Sequence, residues 1–227
     1  MRIFCCFTPA HEVLFRKIFL PSVPAGFEAE PTEIALEGHG DFLSPEFLQC
    51  IKKKIDLVLK SITDHRGEVI VWSDVDIRFF KISPDALESA LGQREIVFQK
   101  ESPRLSDVNT GFFVCRCTEP VSGFFHKVAA DLERHGGENE QMAINRILRE
   151  GSGDLSWGYL PASYYARTHG WPPPRSLALY HANYTKGADG VGQKLSQFQE
   201  MERIRQGGLP AWLWSIARRV PGHFRRS

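Results

Sequence analysis

The chain has 227 residues, 42% of them hydrophobic and 24% charged, and a formal net charge of +1 at pH 7. That length fits one α/β domain with a sizeable core, whereas two independent domains would be cramped. This near-neutral net charge does not indicate binding to nucleic acid or to an acidic partner. No apolar run reaches the roughly 20 residues of a membrane span, and no signal-peptide stretch opens the chain. We therefore expect a cytoplasmic protein that does not bind nucleic acid.

The first part of the chain predicts a strand, a helix and a second strand. The apolar "RIFCCF" is typical of a short buried strand that ends at Thr8. Residues 21–44 carry proline, glycine and scattered charge without a period, which predicts a connection. A helix is expected over residues 44–62, and "EVIVWS" at 68–73 then predicts a strand parallel to the first. Four lysines are expected mostly on the polar side of the helix: Lys52, Lys53, Lys54 and Lys60.

The rest of the chain continues to alternate between the two kinds of element. Helices are expected at residues 83–91, 119–134, 138–149 and 193–206. Strands are expected at residues 95–99, 109–117, 155–160 and 177–182. This order predicts one α/β domain over residues 1–206, with a mixed, mainly parallel central sheet flanked by helices. A basic, aromatic tail follows at residues 207–227.

The cysteines predict reduced thiols. Their number is five, which is odd, and most of them lie in apolar, strand-like surroundings. Cys115 and Cys117 form a C-x-C pair, but alternation puts both on one face of one strand. No second pair of cysteines or histidines follows at zinc-site spacing. We expect buried thiols rather than a disulfide framework or a zinc site.

Two aspartates interrupt the apolar pattern at the end of the second strand. In "EVIVWSDVDIRFF", Asp74 and Asp76 stand where a parallel strand ends, the sheet edge at which ligands bind in open α/β folds. Burying carboxylates costs several kcal/mol, so a compensating cation is expected. Oxygen ligands suit Mg²⁺ or Mn²⁺. A D-x-D pair alone is a weak signal, and the alternative is that both residues face solvent or pair with an arginine such as Arg78.

Five segments, taken in chain order, resemble motifs of the GT-A glycosyltransferases, the nucleotide-diphospho-sugar transferases. They fall within residues 69–194 and read "SDVDIRFF", "NTGFFVCR", "NEQMAINRIL", "YLPASYYARTHG" and "YHANYTKG". The resemblance implies a GT-A (Rossmann-like) fold. It also implies a metal-dependent enzyme that moves a sugar from a nucleotide-diphosphate sugar, UDP-linked by the family's habit, to a glycan, lipid-linked or small-molecule acceptor. Together, the five segments resemble those of the GT-A enzymes that retain the configuration of the donor sugar and form α-linkages.

The resemblance further implies the residues of the site. Mn²⁺ or Mg²⁺ would be held by Asp74, Asp76 and His181. The nucleotide-sugar donor would be contacted by Thr8, Asp74, Asn109, Thr110, Asn183, Lys186 and Lys194. Glu140 and Gln141 stand where the family usually has Asp-Gln, and would act in catalysis at the donor sugar. Structural alternatives are a core histidine at 181, a turn residue at Thr8 and a solvated Gly/Lys loop around Lys186 and Lys194.

Other functions stay open at this point. A nucleotidyltransferase shares the layered fold and an acidic metal site, but no glycine-rich phosphate loop follows the first strand. A non-catalytic nucleotide-sugar-binding module is a second alternative. The tail places Trp212 and Trp214 beside arginines. It predicts either a helix packed on the domain or a weak peripheral contact with an anionic membrane, at the inner face.

Overall fold

Two β-sheets organise the chain. The computed structural model describes residues 1–36, 45–102, 106–169, 173–174, 176–186 and 189–223. The larger sheet contains, in spatial order, β2 (Glu28–Glu33), β1 (Arg2–Phe7), β3 (Val69–Ser73), β6 (Val108–Arg116), β5 (Ile96–Lys100) and β7 (Trp157–Tyr159). The smaller sheet contains β4 (Ile77–Phe79), β9 (Leu179–His181) and β8 (Tyr164–Ala166).

Seven α-helices accompany these strands in the described segments. They are α1 (Glu12–Leu14), α2 (Pro45–Asp64), α3 (Pro84–Leu91), α4 (Glu119–Arg134), α5 (Glu140–Glu150), α6 (Gly190–Gln206) and α7 (Gly208–His223). The first of them belongs to a run of short helical turns over residues 9–22. Helix α3 begins as predicted, because the Ser83 hydroxyl accepts the Ala86 amide at 3.2 Å and Pro84 occupies the first turn. Ser44, expected to begin α2, lies outside the described residues.

The large sheet is mixed, and most of its strand pairs are parallel. Strand β1 runs parallel to both β2 and β3, and β5 runs parallel to β7. Strand β6 is antiparallel to β3 and to β5. The parallel pairing of β1 with β3 confirms the strand, helix, strand unit predicted from the sequence.

Both faces of the large sheet are covered. One face packs against α2, α4 and α5 through residues such as Ile55, Val58, Trp72, Phe113 and Phe125. The other face packs against the helical turns of residues 9–22, α3, the small sheet and α6, through residues such as Phe19, Leu87, Phe112, Tyr180 and Phe198. Burial on both sides explains the uninterrupted apolar run of β3. Cys5, Cys115 and Cys117 are buried in this core, and all five cysteines are free thiols.

Three strands were not predicted. Residues 28–33, expected to be part of a connection, form the edge strand β2. Its sequence "EAEPTE" is largely exposed and pairs with β1 through the backbone, so it lacks the apolar alternation by which strands are recognised. Strands β4 and β8 have only three residues each. The predicted strands at 155–160 and 177–182 are also shorter than expected, at three residues each.

The tail forms helix α7, which contacts the domain through Trp212. The indole Nε1 of Trp212 donates to the Pro173 carbonyl at 2.8 Å. Leu213 and Trp214 are exposed. No helix in the described segments is long and apolar enough to cross a bilayer. Arg225 and Arg226 of the basic tail lie outside the described residues, and the division of the chain at residue 206 stays a prediction.

Candidate active site

The Asp-x-Asp segment connects the two sheets, between the end of β3 and the start of β4. The amide of Asp74 donates to the carbonyl of Gly111 in β6 at 2.7 Å. Two residues later, the carbonyl of Asp76 accepts the amide of Ala182 at 2.9 Å. This second bond continues the antiparallel pairing of β4 with β9, whose last residue is His181. The backbone therefore brings Asp76 and His181 together.

An irregular stretch of β6 faces this segment. Phe98 of β5 pairs with Phe113 of β6. The next residue, Gln99, pairs with Asn109, so β5 skips residues 110–112. Bulges of this kind re-aim side chains and leave backbone groups for other partners. One such group is the carbonyl that accepts the first amide of the Asp-x-Asp segment.

Asp74, Asp76 and His181 form the cluster that the resemblance implied. One potential ligand atom from each residue lies within 4.8 Å of the other two. Nε2 of His181 lies 3.2 Å from Oδ1 of Asp76, and both side chains are buried. Gly111 provides the space for the imidazole, because a Cβ at this position would lie 2.2 Å from Cε1 of the ring. A larger residue at position 111 would therefore displace the histidine.

The donors and acceptors of this cluster fit a divalent cation. Oδ1 of Asp76 is buried and has no hydrogen-bond partner among the described residues. Nδ1 of His181 lies 2.9 Å from the amide oxygen of Gln99, which can only accept, so a neutral ring carries its proton on Nδ1. Nε2 then presents a lone pair to Asp76. Two buried acceptors that face each other are unfavourable alone, and a bound cation would satisfy both.

The second oxygen of Asp76 pairs with Lys194 of α6. Nζ of Lys194 lies 2.7 Å from Oδ2 of Asp76. Burial alone would raise the pKa of Asp76, but the positive charge of Lys194 opposes burial, and the pKa lies well below its usual range. Asp76 is therefore ionised at neutral pH. Lys194, implied as a diphosphate contact, lies directly at the carboxylate and imidazole cluster.

A buried lysine compensates Asp74, and its predicted position on the polar side of α2 was wrong. Nζ of Lys54 lies 2.6 Å from Oδ1 of Asp74 and 2.8 Å from Oε1 of Glu140. Burial alone would lower the pKa of Lys54, but the negative charges of Asp74 and Glu140 outweigh burial and raise it. Lys54 therefore stays protonated. Burial also raises the pKa of Asp74, which Lys54 opposes. Arg78, the alternative partner, instead contacts Glu202 at 3.3 Å.

Glu140 and Gln141 begin α5 beside the irregular part of β6. The Thr110 hydroxyl donates to Oε1 of Glu140 at 3.1 Å, and the Thr110 amide donates to Oε1 of Gln141 at 3.4 Å. Asn109 accepts the amide of residue 111 at 3.0 Å, and its own amide group donates to Glu101 at 2.5 Å. Asn139 caps the helix, and the carboxylate of Glu140 is favoured by the positive N-terminal end of the dipole. These contacts join the catalytic and donor-sugar residues that the resemblance implied.

The loop after β1 adds one predicted residue and one that was not predicted. The hydroxyl of Thr8 lies 2.9 Å from Nδ1 of His11. Burial, and then the charge of Lys194, lowers the pKa of His11 to about 4, so its ring is neutral at neutral pH. His11 stands in a short helical turn, where no periodic pattern marked it as functional.

Comparison with known proteins decides the family. A model of the nucleotide-diphospho-sugar transferases matches residues 24–198, which is most of the chain. The chain belongs to this family. Membership of a family of transferases that use nucleotide-diphospho sugars favours that class over the nucleotidyltransferase alternative. No curated protein matches the transferase in sequence.

Solved glycosyltransferases share the fold of this transferase. The apo form of GlyE from Streptococcus pneumoniae TIGR4 is similar with a TM-score of 0.56 at 10% identity, over 88% of this chain and 63% of that one. A glycosyltransferase involved in the glycosylation of the major capsid of PBCV-1 is similar with a TM-score of 0.55 at 11% identity, over 87% and 98% of the two chains. The galactosyltransferase LgtC, in complex with donor and acceptor sugar analogs, gives 0.53 at 11% identity, over 88% and 94%. These likenesses confirm the GT-A fold, and the transferase spans 63% of the GlyE chain.

All the residues implied by the resemblance except Lys186 line one open cavity of the transferase, of about 610 Å³. Its lining includes Thr8, Asp74, Asp76, Asn109, Thr110, Glu140, Gln141, His181, Asn183 and Lys194. His11 and Lys54, which the sequence analysis did not select, line the same cavity. A nucleotide-diphosphate sugar has a base, two phosphates and a sugar, and a cavity of this volume is of the size that ligands of that class occupy.

Two implied residues of the transferase have other contacts as well. The side chain of Asn183 accepts the Thr168 amide at 3.2 Å and donates to the Thr168 hydroxyl at 3.1 Å. Lys186 is not among the described residues that line the cavity, and its Nζ lies 5.5 Å from the centre of the Tyr184 ring. The amide and carbonyl of Lys186 are both bonded to the side chain of Gln193. The role of Lys186 stays a prediction.

Proposed function

We propose that this nucleotide-diphospho-sugar transferase moves a sugar from a UDP-linked donor, with Mn²⁺ or Mg²⁺ held by Asp74, Asp76 and His181. One observation carries the metal part of the proposal. The buried Oδ1 of Asp76, with no hydrogen-bond partner among the described residues, faces the lone pair on Nε2 of His181. Both lie in a cavity that also contains Lys194. A cation there, when bound, offsets the negative charge that develops on the leaving diphosphate.

The lysine at the cluster has a second role in this proposal. Lys194 lies 2.7 Å from Asp76, at the partly exposed start of α6. Its ammonium group is placed to contact the diphosphate and to add positive charge where the leaving group forms. Thr8, at the end of β1 on the same cavity, contacts the ribose or the base of the nucleotide.

A further part of the cavity lining, next to the carboxylate cluster, is assigned to the donor sugar. Thr110 is bonded to both Glu140 and Gln141, and Asn109 is bonded to the residue 111 amide and to Glu101, so the polar atoms of all four residues are held in place. Lys54 neutralises Glu140 at 2.8 Å, which weakens this carboxylate as a nucleophile. Retention by front-face attack, assisted by the leaving phosphate, is therefore favoured over a covalent intermediate on Glu140. Asn183 and Lys186 are assigned to the same donor at its phosphate end.

The test is calorimetric titration of UDP into the protein with and without Mn²⁺. We expect tight UDP binding only in the presence of Mn²⁺. In Asp76→Asn and in His181→Ala, we expect weak UDP binding that Mn²⁺ no longer strengthens. Asp56→Asn is the matched control, because Asp56 is an exposed carboxylate on α2, away from the cavity lining. Metal-dependent binding that survives unchanged in both site variants would refute the assignment.

The nucleotide and the catalytic role need separate tests. In a thermal-shift panel of UDP-, GDP- and CMP-sugars, we expect stabilisation that requires both Mn²⁺ and a UDP-sugar. Slow hydrolysis of that sugar nucleotide, lost in Asp76→Asn, would distinguish an enzyme from a non-catalytic binding module. Stabilisation by a GDP- or CMP-sugar alone would contradict the UDP assignment.

The acceptor is proposed to be a glycan, a lipid-linked sugar or a small molecule, met at the cytoplasmic side of a membrane. Leu209, Leu213 and Trp214 of α7 are exposed, at 44%, 51% and 59%. Exposed apolar residues on a helix with arginines in its sequence are typical of a weak interfacial contact. Deletion of residues 209–227 should reduce binding to vesicles that contain anionic lipid. Equal binding by the full and shortened chains would remove the membrane part of the proposal.

A further inference from the structure

A glutamine next to the metal cluster has no role in the function proposed so far. Gln99 lies in β5 and is 0% exposed. It follows the point at which β5 and β6 lose register, so that the strand irregularity turns its side chain towards β9. A fully buried carboxamide is retained only where its polar atoms are bonded, because burying them unpaired is unfavourable.

The orientation of the Gln99 amide is determined by its two partners. Its Nε2 donates to the backbone carbonyl of Tyr164 at 3.1 Å, and a carbonyl can only accept. Its Oε1 must then be the atom that lies 2.9 Å from Nδ1 of His181. An amide oxygen can only accept, so the His181 contact requires a proton on Nδ1.

We propose that Gln99 is a positioning residue that holds His181 as the Nδ1–H tautomer and so keeps the lone pair of Nε2 directed at Asp76. The inference rests on the proposed function in so far as a metal ion binds there. Histidine ligands commonly donate their second ring N–H to a neighbouring acceptor, which fixes the tautomer and the ring orientation. In this chain the acceptor is a carboxamide from a different sheet.

The same heavy-atom positions would also allow a competing tautomer, which the acceptor at Gln99 disfavours. In the other tautomer, Nε2 of His181 would carry the proton and donate to Oδ1 of Asp76, 3.2 Å away. That bond would satisfy the otherwise unpaired oxygen, and it would remove two ligand atoms from the metal site at once. Without an acceptor at Nδ1, this arrangement is the favoured one, because it pairs a buried carboxylate oxygen.

The tautomer is measured directly, without metal or substrate. Proton–nitrogen correlation spectra of protein labelled with nitrogen-15 in histidine distinguish Nδ1–H from Nε2–H rings, at a pH well above the ordinary histidine pKa of about 6.5. We expect Nδ1–H for His181. His169 serves as an internal reference of the opposite kind, because its Nε2 lies 2.8 Å from the Lys100 carbonyl. An Nε2–H signal for His181 in the unchanged protein would overturn the inference.

Two substitutions at position 99 separate the acceptor from packing. Gln99→Met keeps the length but removes the acceptor; we expect His181 to change to Nε2–H and Mn²⁺ affinity to fall about 10- to 100-fold. Gln99→Glu restores an acceptor at Nδ1, and we expect it to keep the Nδ1–H tautomer and Mn²⁺ affinity near that of the unchanged protein. Gln197→Met is the matched control, since it removes another buried amide, one that donates to the Tyr184 carbonyl and not to His181.

The outcomes distinguish this inference from the proposed function. Mn²⁺ affinity is read by titration of the free protein, followed by the paramagnetic signal of the unbound metal. If the unchanged protein shows Nδ1–H but binds no Mn²⁺, the proposed metal site fails while the tautomer assignment stands. If it binds Mn²⁺ and Gln99→Met binds as tightly as Gln197→Met with an unchanged tautomer, the inference is overturned and the metal site stands.

Discussion

Replacement of Lys54 by methionine tests the charge arrangement of the cavity most directly. The ammonium group of Lys54 is buried and lies within 2.8 Å of an oxygen on each of Asp74 and Glu140. Methionine keeps much of the apolar stem but removes the charge. Two carboxylates then remain at the cavity without their cation, and Glu140 is itself only 6% exposed.

The expected magnitude follows from this loss. Removing one partner of a buried ion pair costs about 3–5 kcal/mol in the free energy of unfolding, because it leaves an uncompensated buried charge. For a chain of this size, each kcal/mol lowers the melting temperature by about 2–4 °C, so we expect a decrease of roughly 6–20 °C. Part of this loss should return in the double variant Lys54→Met/Glu140→Gln, since the second change removes one of the unpaired charges.

Thermal and urea unfolding of the metal-free protein in EDTA provide the measurement. Lys53→Met is the matched control on the same helix, because Lys53 is exposed, and its effect should stay within about 0.5 kcal/mol. If Lys54→Met is no more destabilising than Lys53→Met, the buried ion pairs do not hold this wall of the cavity. If the double variant is as unstable as Lys54→Met, the uncompensated charge of Glu140 is not the cause of the lost stability.

Three further predictions address the histidines and the tail. In Gly111→Ala the new Cβ would lie 2.2 Å from Cε1 of His181, so Mn²⁺ affinity should fall at least about 10-fold; tight binding in a Mn²⁺ titration would contradict this. Burial lowers the pKa of His11 to about 4, so the native ring stays neutral while the unfolded chain takes up a proton below about pH 6.5. Stability should therefore fall between about pH 6.5 and 4, and urea unfolding of His11→Gln should show a smaller fall; equal pH slopes would refute the assignment. Trp212→Ala removes the indole bond to a loop carbonyl and should make α7 more sensitive to limited proteolysis, and unchanged cleavage would mean that this contact does not hold the helix.

The sequence predicted the core elements, which have a periodic apolar pattern, and the site residues that lie in recognisable motifs. The alternation of apolar runs and helical spacing indicated the core elements, because both sheet faces are covered. Asp74, Asp76 and His181 were selected together because five segments in chain order resemble GT-A motifs, whereas the Asp-x-Asp pair alone is a weak signal. Strand β2 was missed because most of its side chains are exposed, so its backbone pairing with β1 leaves little mark in the side-chain pattern.

The residues that the sequence analysis missed depend on tertiary placement. The spacing of Lys54 could have predicted its burial. It stands three residues after Ile51 and four before Val58, which places it on the buried face of α2. Gln99 gave none, because the strand irregularity that turns it towards His181 is a property of two strands together. His11 lies in a short turn without periodicity.

The backbone bonds at both ends of the Asp-x-Asp segment affect the thermodynamics of ligand binding. Its amide at position 74 and its carbonyl at position 76 are bonded to two different strands before any ligand is present. The conformational entropy of these residues is therefore lost when the chain folds, at about 1–2 kcal/mol per residue, and not when the donor binds. A ligand that contacts Asp74 and Asp76 meets a preorganised surface, so more of the contact energy appears as affinity.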